Sequence, residues 1–352
     1  MNQKDEYWQG VRGIAALAVV FIHCRNGLGY TDGWQYLWFV ERAVVNFPVF
    51  LFVFMSGFFV RNTNLCDRAQ CLSFYRKKAE RILIPYMVWS LLYIVIDIAA
   101  GKVSGNASTA SEYIVAIFTG GAAPQLYYCI VLLQLIVLTP VLVRFERSGW
   151  FTVLLLCISP VYSAMLSLVS LINGAPPPMY SLPFTAWISF YYAGILVRND
   201  VKLNCKIKRL KITPLLGGAL LLVGLETVVS CFMKALGIDL GYAVSQNKLS
   251  SMCYSALIIL IFARGSFPRF VRRFSKVGNN SYALFLSHYV YVYLLKVLDN
   301  VWNDWLDGGL FAILPLAQVV EMLIVTSLSY LSIRMIRWFV RDNRLICSWL
   351  GL

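Results

Sequence analysis

Of the 352 residues only two are histidine, and the first stands at a suggestive spacing from a cation. His23 follows Arg12 by eleven positions. On an α-helix, eleven steps make about three turns, so both side chains share one face, about 16 Å apart along the axis. A neutral imidazole titrates near pH 6.5 and can accept the proton of an attacking hydroxyl. The same side chain could instead close a hydrogen bond between helices. Spacing alone leaves both readings open.

The second feature is the basic run Arg76-Lys77-Lys78-Ala79-Glu80-Arg81, followed by Ile82-Leu83-Ile84-Pro85-Tyr86. On a helix Lys78 and Arg81 are i,i+3 neighbours, so they share a face at the start of an apolar stretch. Paired cations there suit a polyanion such as a nucleotide phosphate. Anchoring at a membrane surface is the plainer alternative. His288 closes the run Ser281-Tyr282-Ala283-Leu284-Phe285-Leu286-Ser287-His288, either as a structural histidine or as a second catalytic one. Glu226 and Glu321 fall within apolar stretches, where an ionisable group is costly and needs a partner or a cavity. The small pair Ser56-Gly57 points to close helix packing. No spacing of Cys, His or carboxylates suits a metal, and none is expected.

The elements that must carry these groups follow from composition. Apolar residues make up 59% of the chain and charged ones 14%, against roughly 45–50% and about 25% in soluble domains. That excludes a soluble globular protein, and the continuity of the apolar runs excludes a β-barrel, whose strands alternate. Ten stretches could each span the hydrocarbon core as a helix: Val11–Leu28, Ala43–Val60, Ile82–Ala100, Leu126–Val143, Trp150–Ile172, Leu182–Val197, Ile212–Ala235, Leu249–Ala263, Ser281–Leu298 and Leu310–Ile336. Tyr113–Thr119 is apolar but too short, and reads as interfacial. The expectation is an all-α bundle of about ten transmembrane helices. It forms one domain over residues 1–352, with no cleavable leader and no appended soluble domain.

The net charge of +14 would suit a nucleic-acid partner in a soluble protein. Here orientation accounts for it. With the N-terminus cytoplasmic and the spans alternating, 25 of the 31 Lys and Arg residues fall on the inner side. Only Arg25, Arg42, Lys102, Lys234, Lys248 and Lys296 lie elsewhere. This is the positive-inside bias, and it places both termini in the cytoplasm. No nucleic-acid partner is expected.

Five motifs, in order, resemble the acyltransferase 3 family of membrane O-acyltransferases. Arg12 to His23 is similar to the family's Arg-x10-His on the first span. Phe50-Leu51-Phe52-Val53-Phe54-Met55-Ser56-Gly57-Phe58 is similar to its Ser-Gly-Phe-containing second span. Lys78-x-x-Arg81, with Pro85-Tyr86, resembles its Arg-x-x-Arg signature, with Lys78 keeping the charge but not the guanidinium fork. Gln125-Leu126-Tyr127-Tyr128 resembles a motif in which Trp usually stands at the place of Tyr127. Ser281 to His288 resembles the family's Ser-Tyr…His run.

The resemblance implies a stand-alone enzyme of the bacterial cytoplasmic membrane. It would move an acyl group, most often acetyl, from cytoplasmic acetyl-CoA to a hydroxyl of an envelope or surface glycan. It places Arg12, Lys78 and Arg81 around the CoA phosphates and His23 at the reacting hydroxyl, with His288, Glu321, Tyr282 and Ser56 in support. The separation of Arg12 and His23 is comparable with a pantetheine arm. Membrane lipid and further copies of the chain are the other partners it allows. A glycan transporter or flippase, or an inactive membrane sensor, is the rival class. A flippase is disfavoured by the lack of internal repeats and of matched broken spans.

Overall fold

The computed structural model describes residues 3–24, 33–60, 65, 67–99, 109–146, 148–301, 314–341 and 343–352. All regular structure within them is helical. The chain opens with α1 (Gln3–His23), α2 (Gly33–Val45) and α3 (Pro48–Phe58). A continuous rod follows, formed by α4 (Arg68–Lys78), a π-helical turn at Ala79–Leu83 and α5 (Ile84–Ala99). Next come α6 (Ala110–Thr119), α7 (Tyr127–Arg144), α8 (Gly149–Asn173) and α9 (Ile188–Asn199), the last preceded by a 3-10 turn at Phe184–Ala186. Then follow α10 (Val201–Arg209), α11 (Ile212–Ala235), the short α12 (Leu240–Ala243) and α13 (Leu249–Ala263). Two short helices, α14 (Pro268–Arg272) and α15 (Ser275–Asn279), lead into α16 (Ser281–Val301), α17 (Leu314–Phe339) and α18 (Arg344–Leu350).

Seven helical runs are long and apolar enough to cross a membrane: Gly33–Phe58, Arg68–Ala99, Tyr127–Arg144, Gly149–Asn173, Ile212–Ala235, Ser281–Leu298 and Leu316–Phe339. The protein is an all-α, multi-pass membrane bundle. Its outward surface is apolar, with Val95 and Ile98, Val153 and Val161, and Leu220, Leu221 and Val228 all exposed. Many of its span serines are buried and bonded inside, as Ser163 Oγ is to the carbonyl of Asn247 at 2.6 Å. Lipid outside and hydrogen bonds inside are what a bilayer imposes.

The other three expected spans correspond to α1, α9 and α13, and each departs from the simple pattern for a physical reason. α1 begins at Gln3 rather than Val11, because its polar first turns pack into protein through buried Tyr7 and Trp8. α9 has only 12 residues, most of them buried between neighbouring helices, so protein rather than lipid surrounds it. α13 has 15 residues, and its start is held by the buried ion pair of Lys248 with Glu226 on α11, at 2.6 Å. The second span enters as α2 and breaks at Asn46–Phe47, with Pro48 starting the new helix at the one place where a missing N–H costs nothing. The expected ends at Leu28 and Leu310, and the cations Arg25, Arg61, Lys102 and Arg147, lie outside the described residues.

Two close approaches fix the frame around the site. Gly57 on α3 faces Gly194 on α9, and a Cβ on either would strike the other helix's backbone, at the Tyr191 or the Phe54 carbonyl. The expected role of the Ser56-Gly57 pair in packing is therefore met by Gly57. Likewise Gly13 on α1 and Gly278 on α15 admit no side chain against the facing backbone. α1 is thereby seated among α3, α15, α16 and α17, in the middle of the described bundle.

Candidate functional site

Arg12 and His23 sit about three turns apart on α1, and each opens onto a different cavity. Arg12 lines a small cavity of about 210 Å³ together with Ser56, Arg81, Tyr128, Tyr282 and Phe285. Its guanidinium lies 4.8 Å from the centre of the Phe59 ring, an arrangement that holds the charge in place. Ser56 Oγ donates to the Phe52 carbonyl at 2.8 Å and lies 3.5 Å from the Tyr128 hydroxyl. Tyr282 stacks over Phe285, with ring centres 6.4 Å apart and planes 8° from parallel, and its hydroxyl donates to the Ile82 carbonyl at 3.3 Å.

Arg81 and Tyr282 also line a second depression, of about 480 Å³, together with Arg337, Arg344 and Ser348. Lys78 is charge-coupled to both Arg81 and Arg12, and its ammonium lies 5.7 Å from the Phe74 ring centre. The π turn at Ala79–Leu83 begins directly after Lys78 and contains Arg81, so the plain i,i+3 relation expected from the sequence is replaced by a widened turn. Such turns commonly mark functional positions. The result is a mouth lined or flanked by Arg12, Lys78, Arg81, Arg337 and Arg344. The last two come from α17 and α18, more than 250 positions away in the chain, where sequence reading registers them only as inner-side charge. α18 is docked by Trp89 Nε1, which donates to the Leu350 carbonyl at 3.1 Å.

Further along the bundle the aromatic wall continues to the histidines. Tyr128 meets Phe285 edge-on at 5.6 Å, and Phe285 lies 6.3 Å from His288. The rings of His288 and His23 are 5.3 Å apart, tilted by 43°, and Tyr289 presents an edge to His23 at 5.7 Å. His288 is fully buried, with Nδ1 3.1 Å from the Leu284 carbonyl. A carbonyl can only accept, so Nδ1 carries the hydrogen and the lone pair is on Nε2. That nitrogen is buried and has no partner among the described residues. The two histidines thus meet from α1 and α16, an encounter invisible in their separation of 265 positions.

His23, half-buried at the end of α1, faces a large cavity of about 700 Å³ lined by Trp38, Arg42, Tyr127, Tyr180 and Gln246 among others. Tyr127 is fixed by Gln246 Nε2, which donates to its hydroxyl at 2.8 Å. An adjoining cleft of about 580 Å³ shares the wall of Thr119, Gly121, Pro124 and Met179, and carries Asp97, Tyr113, Tyr289 and Lys296. The short apolar helix α6, in the segment expected to be interfacial, forms part of that cleft. Neighbouring residues at the start of α7 therefore look opposite ways, Tyr127 to the large cavity and Tyr128 to the small one.

Of the residues expected from the sequence, Arg12, Ser56, Arg81 and Tyr282 share one cavity and Lys78 flanks it, while His288 and His23 meet each other beyond Phe285, with His23 on the separate large cavity. Glu321 stands on α17 near Cys24, the residue after His23, and beside Gln318, whose Nε2 donates to the Phe21 carbonyl at 3.1 Å. Glu226 is committed to Lys248 and accepts from Ser251 Oγ at 2.6 Å. Tyr289, Arg42, Arg337 and Arg344 had no site role in the sequence reading, and Tyr128 stood there only as part of a motif. For Arg42 a signal existed, since it is a cation on the side where cations are scarce.

A family model described as an acyltransferase domain matches residues 5–334. No curated protein and no solved structure matches the chain.

Proposed function

The chain belongs to the acyltransferase 3 family, and from that premise we propose that it moves an acyl group, acetyl in the first instance, from cytoplasmic acyl-CoA to a hydroxyl of an envelope or cell-surface carbohydrate. One observation carries the reading. A cation-rich mouth, an aromatic-walled passage, a pair of contacting histidines and a large cavity with polar and aromatic walls follow one another through the bundle. A long donor with an anionic head and a reactive tail fits the first half, and a bulky polar acceptor fits the second. The charge bias puts the mouth in the cytoplasm, where acyl-CoA is found.

In this reading Arg12, Lys78 and Arg81 hold the phosphates, aided by Arg337 and Arg344, and the pantetheine arm passes Ser56, Tyr128 and Tyr282. Arg12 and His23 are about 16 Å apart on α1, which sets the thioester beside the imidazole. His23 takes the proton of the acceptor hydroxyl. The new oxygen–carbon bond forms at the thioester carbonyl, the carbon–sulfur bond breaks, and the sulfur leaves with its electron pair to be protonated by the imidazolium. His288 is a positioning residue. Its Nδ1–H is spent on Leu284, so its Nε2 lone pair is free to accept from His23 and steady that ring. No metal is invoked.

The test uses inverted membrane vesicles containing the protein and acetyl-CoA labelled in the acetyl group. Label entering the glycan fraction in proportion to the protein supports acyl transfer. Glycan movement across the membrane without label would instead indicate a flippase.

A further inference from the structure

The large cavity beside His23 has a chemical bias that a neutral sugar does not satisfy. Among its described lining residues there is no carboxylate. It does present a half-buried arginine, Arg42, on the last turn of α2. Arg42 Nη2 makes one long contact of 3.5 Å, to the Val244 carbonyl, which already accepts from Asn46 Nδ2 at 3.1 Å. Arg42 Nε is buried with no partner among the described residues. The only carboxylate among its described titratable neighbours is Glu226, which Lys248 already pairs. A second lining residue, Trp38, is 2% exposed and its indole N–H is likewise buried, with no acceptor among the described residues. Arg and Trp side chains donate and never accept. Two donor-only side chains, one of them a full charge and each with a donor unmatched among the described residues, therefore line a space large enough for a sugar. A buried donor left unmatched is costly, so the ligand must bring acceptor oxygens.

We infer that this cavity is an anion-recognising acceptor subsite, in which Arg42 and Trp38 bind a carboxylate or phosphate carried by the sugar that His23 acts upon. Calling its ligand the acceptor rests on the acyl-transfer reading. The binding chemistry does not. The adjoining cleft, with Asp97, Tyr113 and Lys296, has the mixed charge expected where neutral hydroxyls of neighbouring sugar units lie. The acidic group is thus recognised at the reacting unit, and Arg42 is a specificity-determining residue.

The experiment measures thermal stabilisation of the purified full-length protein in lipid nanodiscs, at fixed pH and salt. The probes are p-nitrophenyl β-D-glucuronide, p-nitrophenyl β-D-glucoside and glucose 6-phosphate. The acidic probes should bind about 10–100-fold more tightly than the neutral glucoside, and whichever acidic probe is stronger identifies carboxylate or phosphate. Arg42→Gln should remove the preference, leaving the neutral glucoside unaffected. Arg42→Lys, which keeps the charge and loses the fork, should retain part of it and serves where the first variant does not fold. Equal binding of neutral and acidic probes, a preference that survives Arg42→Gln, or no binding of either acidic probe would overturn the assignment. Acetyl-CoA is titrated into the same samples. Loss of its binding alone counts against acyl transfer and leaves the anion site standing.

Discussion

At the residue scale, the weight falls on His23 and on the cations that would aim a donor at it. His23→Ala should lower acyl transfer by about 10²–10⁴-fold, the usual contribution of a positioned general base, while the protein still inserts and binds acetyl-CoA. Replacement of His288 by Phe should reduce kcat with little change in the KM for acetyl-CoA, and should alter the pH–rate profile. A merely structural role would leave that profile unmoved. Arg81 lines both the mouth and the passage, so its removal should be felt through the phosphates. Comparing acetyl-CoA with acetyl-pantetheine checks this, because Arg81→Ala should raise KM about tenfold or more for the first and little for the second. These residues were legible because histidine is rare in the chain and cations rarely begin an apolar run. Arg337 and Arg344 were not legible, because many cations follow the inner-side bias and only folding brings these two to the mouth.

At the element scale, the site is held by close packing and by one buried ion pair. Gly57→Ala places a methyl where α9 backbone already sits, so it should cost about 1–3 kcal/mol, measured by thermal unfolding in detergent. Lys248→Met leaves Glu226 without its counter-charge, although both side chains are almost fully buried. It should be destabilising by about 3–5 kcal/mol, and adding Glu226→Gln should recover most of that loss. Most of the helices were readable from apolar length. The short α9 was readable only weakly, and the reason lies in packing, since a helix enclosed by α3 and α8 need not be apolar over a full membrane thickness. The π turn that follows Lys78 and holds Arg81 was unreadable, because its residues are ordinary helix formers and the turn sits where the chain packs against both α7 and α18.

At the scale of the whole molecule, orientation decides whether donor and acceptor come from opposite sides. Cys205 is exposed on α10, amid Lys202, Lys206, Lys208 and Arg209. In a variant keeping only this cysteine, a membrane-impermeant maleimide should label inverted vesicles and spare right-side-out ones. The reverse pattern would turn the bundle over and place the cationic mouth outside. The charge bias was readable because it sums over the chain. The line of cavities was not, since each wall draws on elements far apart in sequence, as where α1, the π turn, α7 and α16 meet around Arg12, Ile82, Tyr128 and Tyr282. In the proposed reaction that line is one path, with His23 at its turning point. The most direct test is acetyl transfer from labelled acetyl-CoA to membrane glycan, by wild type and His23→Ala at equal amounts of inserted protein. Labelled glycan is expected in the first and a loss of at least about a hundredfold in the second, and equal labelling by the two would remove His23 from the reaction.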